Sequence, residues 1–346
     1  MLSIKADYFF VTPHFFCYNQ NFITLFSSFH VVSISLKNLK ITMRRFNKYL
    51  LLLLSLSTVH ANIDAYFKQA PDKSNPKQMR NIDFIYVINL DQRPEKFDRC
   101  IQQLSLYGIE PYRFSAVNGW ELSLETINDV GVWFQPWMSR EKWGTYYEGN
   151  FEPKHEPIQV FGRNYFCHCM SRGAIGIALS HLSVLQDAYD SGYETIWVME
   201  DDIEILRDPH HLSDLIDQLD EIVGKEGWDV LFTDPDTKNN DGQYVPSYGF
   251  AWRPNYYPPQ PERFGQRTDV GSDFRRVGSR FGAYSMIVRR SGMEKVLDFM
   301  KTYQIFLPYD IEFVLPPDIR LYTLRYDLVS TKPASPSDNG GPNYLK

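Results

Sequence analysis

Thr195-Ile196-Trp197-Val198-Met199-Glu200-Asp201-Asp202 is the stretch that decides how the chain is read. Five β-branched or apolar residues in succession suit a strand buried on both faces, as in a parallel sheet. The run stops at three adjacent carboxylates, whose repulsion becomes tolerable when a divalent cation or a set of donors neutralises them. In open α/β sheets ligands bind outside the carboxyl ends of the strands, so Glu200, Asp201 and Asp202 stand where a ligand site is expected. The plain alternative is a solvated acidic turn.

Outward from this strand the same rhythm repeats. Before it, Ile175, Ala178, Leu179, Leu182, Leu185 and Tyr189 mark one helical face that ends at Asp190-Ser191-Gly192. After it come a helix over His211 to Val223, a strand from Trp228 to Thr233, a strand from Ala283 to Val288 and a helix from Gly292 to Lys301. Upstream, Phe84 to Leu90 is a nearly continuous apolar run, Pro94 opens a helix carrying Phe97, Ile101 and Leu104, Gly108 closes it, and Tyr112 to Val117 is the next strand. Strands alternating with helices predict an α/β fold with a mainly parallel central sheet flanked by helices, over residues 82–346.

Two long stretches, near 120–171 and 234–280, break the rhythm. Each exceeds the about 12–15 residues usual for a structureless loop, so each is a functional lid or holds short elements. The first is rich in aromatics from Trp133 to Tyr147, which suit a sugar face less well than a packed cover over the sheet. In the second, Tyr256-Tyr257-Pro258-Pro259-Gln260-Pro261 excludes regular structure locally.

At the N-terminus, Arg44, Arg45 and Lys48 precede an apolar run from Tyr49 to Leu56 and then Val59-His60-Ala61. That is the form of a signal peptide over residues 43–61, too short in its apolar core for the roughly 20 residues of a membrane span. This reading starts the protein at Met43 and makes residues 1–42, which show no helical or strand period, a gene-model extension. Residues 62–81 are polar and proline-punctuated and read as a tether. A signal peptide implies the secretory pathway: the endoplasmic reticulum or Golgi lumen in a eukaryote, the periplasm or export in a bacterium.

The formal net charge of −6 excludes an electrostatic partnership with nucleic acid, so any anionic ligand is met locally. Of four cysteines, Cys17, Cys100, Cys167 and Cys169, the first falls in the extension before Met43, and the three that remain are too few for a disulfide framework and allow one bridge at most. Cys167-His168-Cys169 invites a zinc reading, but no second ligand pair follows at zinc-site spacing, so a structural role or one disulfide is favoured.

Several motifs in order carry a resemblance. Tyr86 to Lys96, then Arg113 to Gly119, Gly173-Ala174-Ile175-Gly176 with Leu179-Ser180-His181, and the strand ending in Glu200-Asp201-Asp202 resemble glycosyltransferase family 25. So do Gly282 to Val288, Pro308-Tyr309-Asp310 and Ser337-Asp338-Asn339. The family includes lipooligosaccharide glycosyltransferases and procollagen galactosyltransferases. The resemblance implies a GT-A-like nucleotide-sandwich fold that moves a hexose, galactose favoured, from a nucleoside-diphosphate sugar (a UDP-sugar favoured) to a glycan or protein hydroxyl. Manganese or another divalent cation would sit on Asp202 and Glu200, with Asn89, Arg93 and the acidic motif binding the donor.

Inverting transfer needs a base for the acceptor hydroxyl proton; Asp310 is the first choice and Glu312 the fallback. The competing role for Asp310 is a helix N-cap. His181 orders the acidic motif or touches substrate, unless it is a hydrogen-bonded core residue. Arg93 contacts phosphate or pairs with Glu95 or Asp98. Asp234-Pro235-Asp236 is a rival metal motif after a second buried strand, and it also reads as turn chemistry. The alternative to an enzyme is a catalytically inactive carbohydrate-binding protein on a transferase fold.

Overall fold

The computed structural model describes residues 62–73, 77–138, 142–332 and 337–345, with the backbone of three strands nearer the N-terminus. Those strands, Cys17–Asn19, Phe22–Ser27 and His30–Ser35, form an antiparallel meander within a separate unit of residues 1–60. The sequence reading finds no strand period there. The signal peptide expected over residues 43–61 lies outside the described residues. Among the described residues no helix is long and apolar enough to cross a membrane.

The second unit, residues 61–346, is built on one eight-stranded sheet. Its strands in chain order are β1 (Phe84–Asn89), β2 (Tyr112–Ser115), β3 (Thr195–Glu200) and β4 (Val230–Phe232). They continue with β5 (Arg267–Val270), β6 (Phe274–Val277), β7 (Ser285–Arg289) and β8 (Leu321–Leu324). Across the sheet the order is β5-β6-β8-β4-β7-β3-β1-β2. β1 is parallel to both β2 and β3, and β4 to β8, while β7 runs antiparallel between β3 and β4. β6 is likewise antiparallel to both β5 and β8, so the sheet is mixed but six of its eight strands point the same way, and with helices packed on it the fold is α/β and GT-A-like, as the sequence predicts.

All six residues of β1 and the first five of β3 are buried, which is why these strands read as unbroken apolar runs. Helices α1 (Pro94–Leu104), α2 (Leu124–Val130), α3 (Arg172–Asp190), α4 (His211–Val223) and α5 (Arg290–Tyr303) accompany them. Pro94 stands in the first turn of α1, and Gly108, at φ 67°, turns the chain toward β2. The apolar face of α3 packs into the larger core cluster with Tyr86, Phe114, Phe306 and Phe313.

Both long stretches contain structure. The first holds α2 and short strands Trp143–Tyr147 and Pro153–Pro157, with Phe134, Tyr147, Tyr165 and Phe166 buried in the core. The second supplies the edge hairpin β5–β6, turned at Gly271 with φ 65°. The segment read as a tether is docked rather than free. Its Ile63 and Met79 are buried, Lys73 pairs with Asp187 at 2.7 Å, and the Lys68 amide donates to Ser183 Oγ at 2.9 Å.

Asp229, just before β4, is buried with its carboxylate accepting from Ser291 Oγ at 2.6 Å, Lys295 Nζ at 2.7 Å and the Arg320 amide at 2.7 Å. Burial opposes its ionisation, but the Arg320, Lys295 and Ser291 donors outweigh burial and hold its pKa below the usual carboxylate range. A depressed folded-state pKa contributes stability above the unfolded value of about 3.9, and that contribution is lost as pH falls through the folded value. Asp229→Asn is therefore expected to cost about 1.5–3 kcal/mol in urea unfolding at neutral pH, and less in acid.

Candidate functional site

The carboxyl end of β3 opens into a cleft with two lobes. One is walled by Lys96, Asn118, Trp120, Gly173, His181, Glu200, Asp201, Asp202 and Asp338. The other is walled by Gly282, Tyr284, Pro308, Tyr309 and Asp310. Glu200, Ile177, Ser337 and Asn339 line both lobes, so Glu200 stands where they meet.

Asp201 is held from below. Asn89, at the end of β1 and 1% exposed, donates to Asp201 Oδ2 at 2.7 Å, and Lys96 Nζ lies 3.5 Å from Oδ1. Asn89 also donates to the Arg93 carbonyl at 2.8 Å and accepts from Arg113 Nε at 2.8 Å. Both of its side-chain N–H donors are spent inside the protein, one of them fixing Asp201. Burial raises the Asp201 pKa above the ordinary range, opposed by Lys96 and Asn89.

Arg93 makes a two-pronged pair with Asp338, Nε at 2.8 Å and a terminal nitrogen at 3.0 Å, and a weaker contact with Glu95 at 3.3 Å. It is a clasp for the Ser337-Asp338-Asn339 segment, a role different from the phosphate contact expected of it. Trp120 Nε1 donates to the Asp338 carbonyl at 2.8 Å, and Ser171 Oγ donates to the Asn339 carbonyl at 2.6 Å. Gly173 permits the approach: a Cβ there would meet Asn339 O at 2.5 Å and Asp338 O at 2.9 Å. Gly176 does the same on the other side, where a Cβ would meet Gly119 N at 2.5 Å. These two contacts explain the spacing of the Gly173-Ala174-Ile175-Gly176 motif.

His181, 1% exposed on α3, meets Glu200 Oε1 through Nε2 at 2.9 Å and stacks on Tyr309 with ring centroids 4.3 Å apart. Of the roles expected for it, ordering the acidic motif is the one its geometry supports. Tyr309 opens the short helix α6 (Tyr309–Glu312), which follows Pro308. Asp310 lies in the first turn of α6 and accepts from the Gly282 amide at 2.9 Å, so it is not the N-cap. Burial raises its pKa, the backbone donor at Gly282 opposes that, and Glu200 adds to the rise.

Glu312 does not reach the cleft. It is fully buried, pairs with the equally buried Arg253, and accepts from the Phe306 and Leu307 amides at 3.2–3.3 Å. A base must meet the acceptor hydroxyl, so the fallback assignment is corrected: Glu312 is a core ion pair. The rival motif is also closed. Asp234 is fully buried and takes Arg280, Tyr284 Oη at 2.5 Å and Ser330 Oγ at 2.7 Å, while Asp236 pairs with Arg267. Two guanidinium groups already stand where a cation would have to bind.

The free groups of the acidic motif fit a divalent cation. Asp202 Oδ1 is buried without a hydrogen-bond partner, and burial, reinforced by Glu200 and Asp201, pushes the Asp202 pKa up to about 7. A cation would relieve both the orphaned oxygen and the repulsion. Among the described residues no three His, Cys, Asp or Glu side chains converge as a ready-made cage. The fit is therefore to an ion that one or two of these carboxylates would hold.

Lys96, Arg113, Asp338 and Tyr309 escape the sequence reading as site residues. All four sit inside quoted motifs, and that position was the available signal. What each one touches depends on residues far away in the chain.

Comparison with known proteins gives the family. A glycosyltransferase 25 family member of Aedes aegypti is 28% identical over 157 residues, 45% of this chain and 22% of the mosquito protein. Procollagen galactosyltransferase 2 of Homo sapiens is 25% identical over 183 residues, 50% of this chain and 25% of the human protein. Inactive glycosyltransferase 25 family member 3 of Homo sapiens is 26% identical over 152 residues, 43% of this chain and 21% of that protein. The matched region thus spans at most 25% of these three relatives' own length. The family model described as glycosyltransferase family 25 (LPS biosynthesis protein) matches residues 82–312, from the start of the sheet to the end of α6. The chain belongs to glycosyltransferase family 25.

Proposed function

We propose that this protein transfers a hexosyl group, galactosyl favoured, from a nucleoside-diphosphate sugar to a hydroxyl of a glycan or protein, with inversion. The observation that carries the reading is the position of Glu200 between two lobes, one lined by the acidic motif and the other by Asp310. A donor diphosphate fits the first lobe and an acceptor hydroxyl the second.

In this reading Asp310 takes the proton of the acceptor hydroxyl as its oxygen bonds to the anomeric carbon, and the bond from that carbon to the diphosphate breaks. Glu200 and Asp202 would hold a divalent cation, manganese favoured, which supplies charge neutralisation for the departing diphosphate. Asn89 and Lys96 fix Asp201, His181 fixes Glu200, and Arg93 holds the wall at Asp338. UDP is the favoured carrier, and the lumen of the secretory pathway is the favoured compartment.

A base works only when ionised, and Asp310 is held above the ordinary carboxylate range, so turnover rises with pH through a value above that range. Release of nucleoside diphosphate from a panel of donors, with and without manganese, tests the reading. Asp310→Asn is expected to lower transfer by about 10²–10⁴-fold and to remove the acid limb of the profile, leaving donor binding intact. An unchanged acid limb in that variant would reassign the base.

Family membership alone does not decide turnover, because the human relative above is named inactive. A carbohydrate-binding protein without catalysis is the second reading. It is recognised by saturable donor or glycan binding with no nucleotide release at any pH.

A further inference from the structure

Cys167 and Cys169 take no part in the site described above. Their Sγ atoms lie 3.0 Å apart and both thiols are free. The Met170 amide donates to the Cys167 carbonyl at 3.1 Å, a turn that folds the second cysteine back over the first. Cys169 is exposed and Cys167 is 6% exposed, which sets out an accessible attacking thiol and a sheltered resolving one. Contact with Cys167 and, after the opposing effect of burial, the neighbouring His168 lower the Cys169 pKa to about 6, whereas Cys167 is pushed up.

The pair is tied to the loop before the candidate base. The Cys167 amide donates to the Phe306 carbonyl at 2.8 Å, and the Phe306 and Leu307 amides are held by Glu312. Three residues beyond Phe306, Tyr309 stacks on His181, which contacts Glu200.

We propose that Cys167 and Cys169 form a reversible dithiol–disulfide site whose oxidation shifts the loop of residues 305–310. The oxidant is a small-molecule disulfide. The Cys169 thiolate attacks one of its sulfurs and expels one thiolate, which takes up a proton. The Cys167 thiol then gives up its proton and attacks Cys169 Sγ, expelling the second thiolate. Two electrons pass from the cysteine sulfurs to the small disulfide, yielding one protein disulfide and two small thiols. A bond between cysteines separated by one residue closes a very small loop, so it gains little from loop closure and stays reducible, as a reversible site requires.

The test equilibrates the full chain in glutathione buffers of graded ratio, traps free thiols by alkylation and maps them by mass spectrometry. The expected result is a loss of two hydrogens confined to the peptide bearing Cys167 and Cys169, reversed by reductant, while Cys100 stays reduced. Amide hydrogen exchange over residues 305–313 is expected to differ at least about threefold between the two forms. A stable mixed disulfide on Cys169, a bond to Cys100, or a Cys167–Cys169 bond with unchanged exchange over 305–313 would each overturn the proposal. The mapping uses the unmodified chain, so it stands even if Cys169→Ser fails to fold; where that variant folds, it must show no bond.

Discussion

Asp202→Asn is expected to reduce manganese-dependent nucleotide release by on the order of 10²–10³-fold, the scale seen when one group stabilising developing charge is removed. The substitution keeps the shape and removes the charge. Asp202 Oδ1 is the buried oxygen of the acidic motif that has no partner, so the substitution breaks no hydrogen bond at that oxygen. The variant should therefore melt at or above the wild-type temperature, because the repulsion from Glu200 and Asp201 that pushes its pKa to about 7 is relieved. Asp236→Asn is expected to do the reverse. It breaks a pair with Arg267 and lowers stability, yet leaves release per folded molecule near the wild-type value. If only the Asp236 change abolished release, the site would have to be moved to Asp234-Pro235-Asp236.

Glu312→Ala carries the second large effect, and it falls on the fold. Arg253 is 1% exposed in its side chain and Glu312 is not exposed at all. Removing the carboxylate strands a guanidinium in the core and frees the Phe306 and Leu307 amides, at a cost of about 3–5 kcal/mol. Chemical denaturation should show the whole of that loss. Transfer measured where the variant is still folded should remain within a few-fold of wild type, in contrast to Asp310→Asn, which loses transfer and keeps its stability. A Glu312 variant with normal unfolding and no transfer would restore it as a base.

The architecture was legible wherever the sheet is buried on both faces. β1, β3 and β7 announce themselves as apolar runs, and α4 spans His211–Val223 as its periodicity predicts. The edge hairpin was not legible. Arg267-Thr268-Asp269-Val270 and Phe274-Arg275-Arg276-Val277 are largely polar, since an edge strand keeps one side in water and carries charge against unwanted pairing. β8 is four residues long and follows Pro316-Pro317, too little chain to show a period.

In the site, position was more readable than role. Asn89, Arg93 and His181 do gather at the acidic motif, but as supports for Asp201, Asp338 and Glu200. Asn89 meets a partner 112 residues away and Arg93 one 245 residues away, distances over which spacing carries no information. Glu312 and Asp310 differ by two positions, and only packing separates the buried ion pair from the cleft residue.

The clasp at Asp338 has a consequence for how the protein is made. A nascent chain that has released β8 has delivered every strand of the central sheet, ending at Leu324. Arg93, Trp120 and Gly173 are then in place around a gap that only residues 337–339 fill. The cleft wall therefore closes only after the last strand of the sheet has been followed by residues 337–339, so a chain released as far as β8 holds its sheet without that wall.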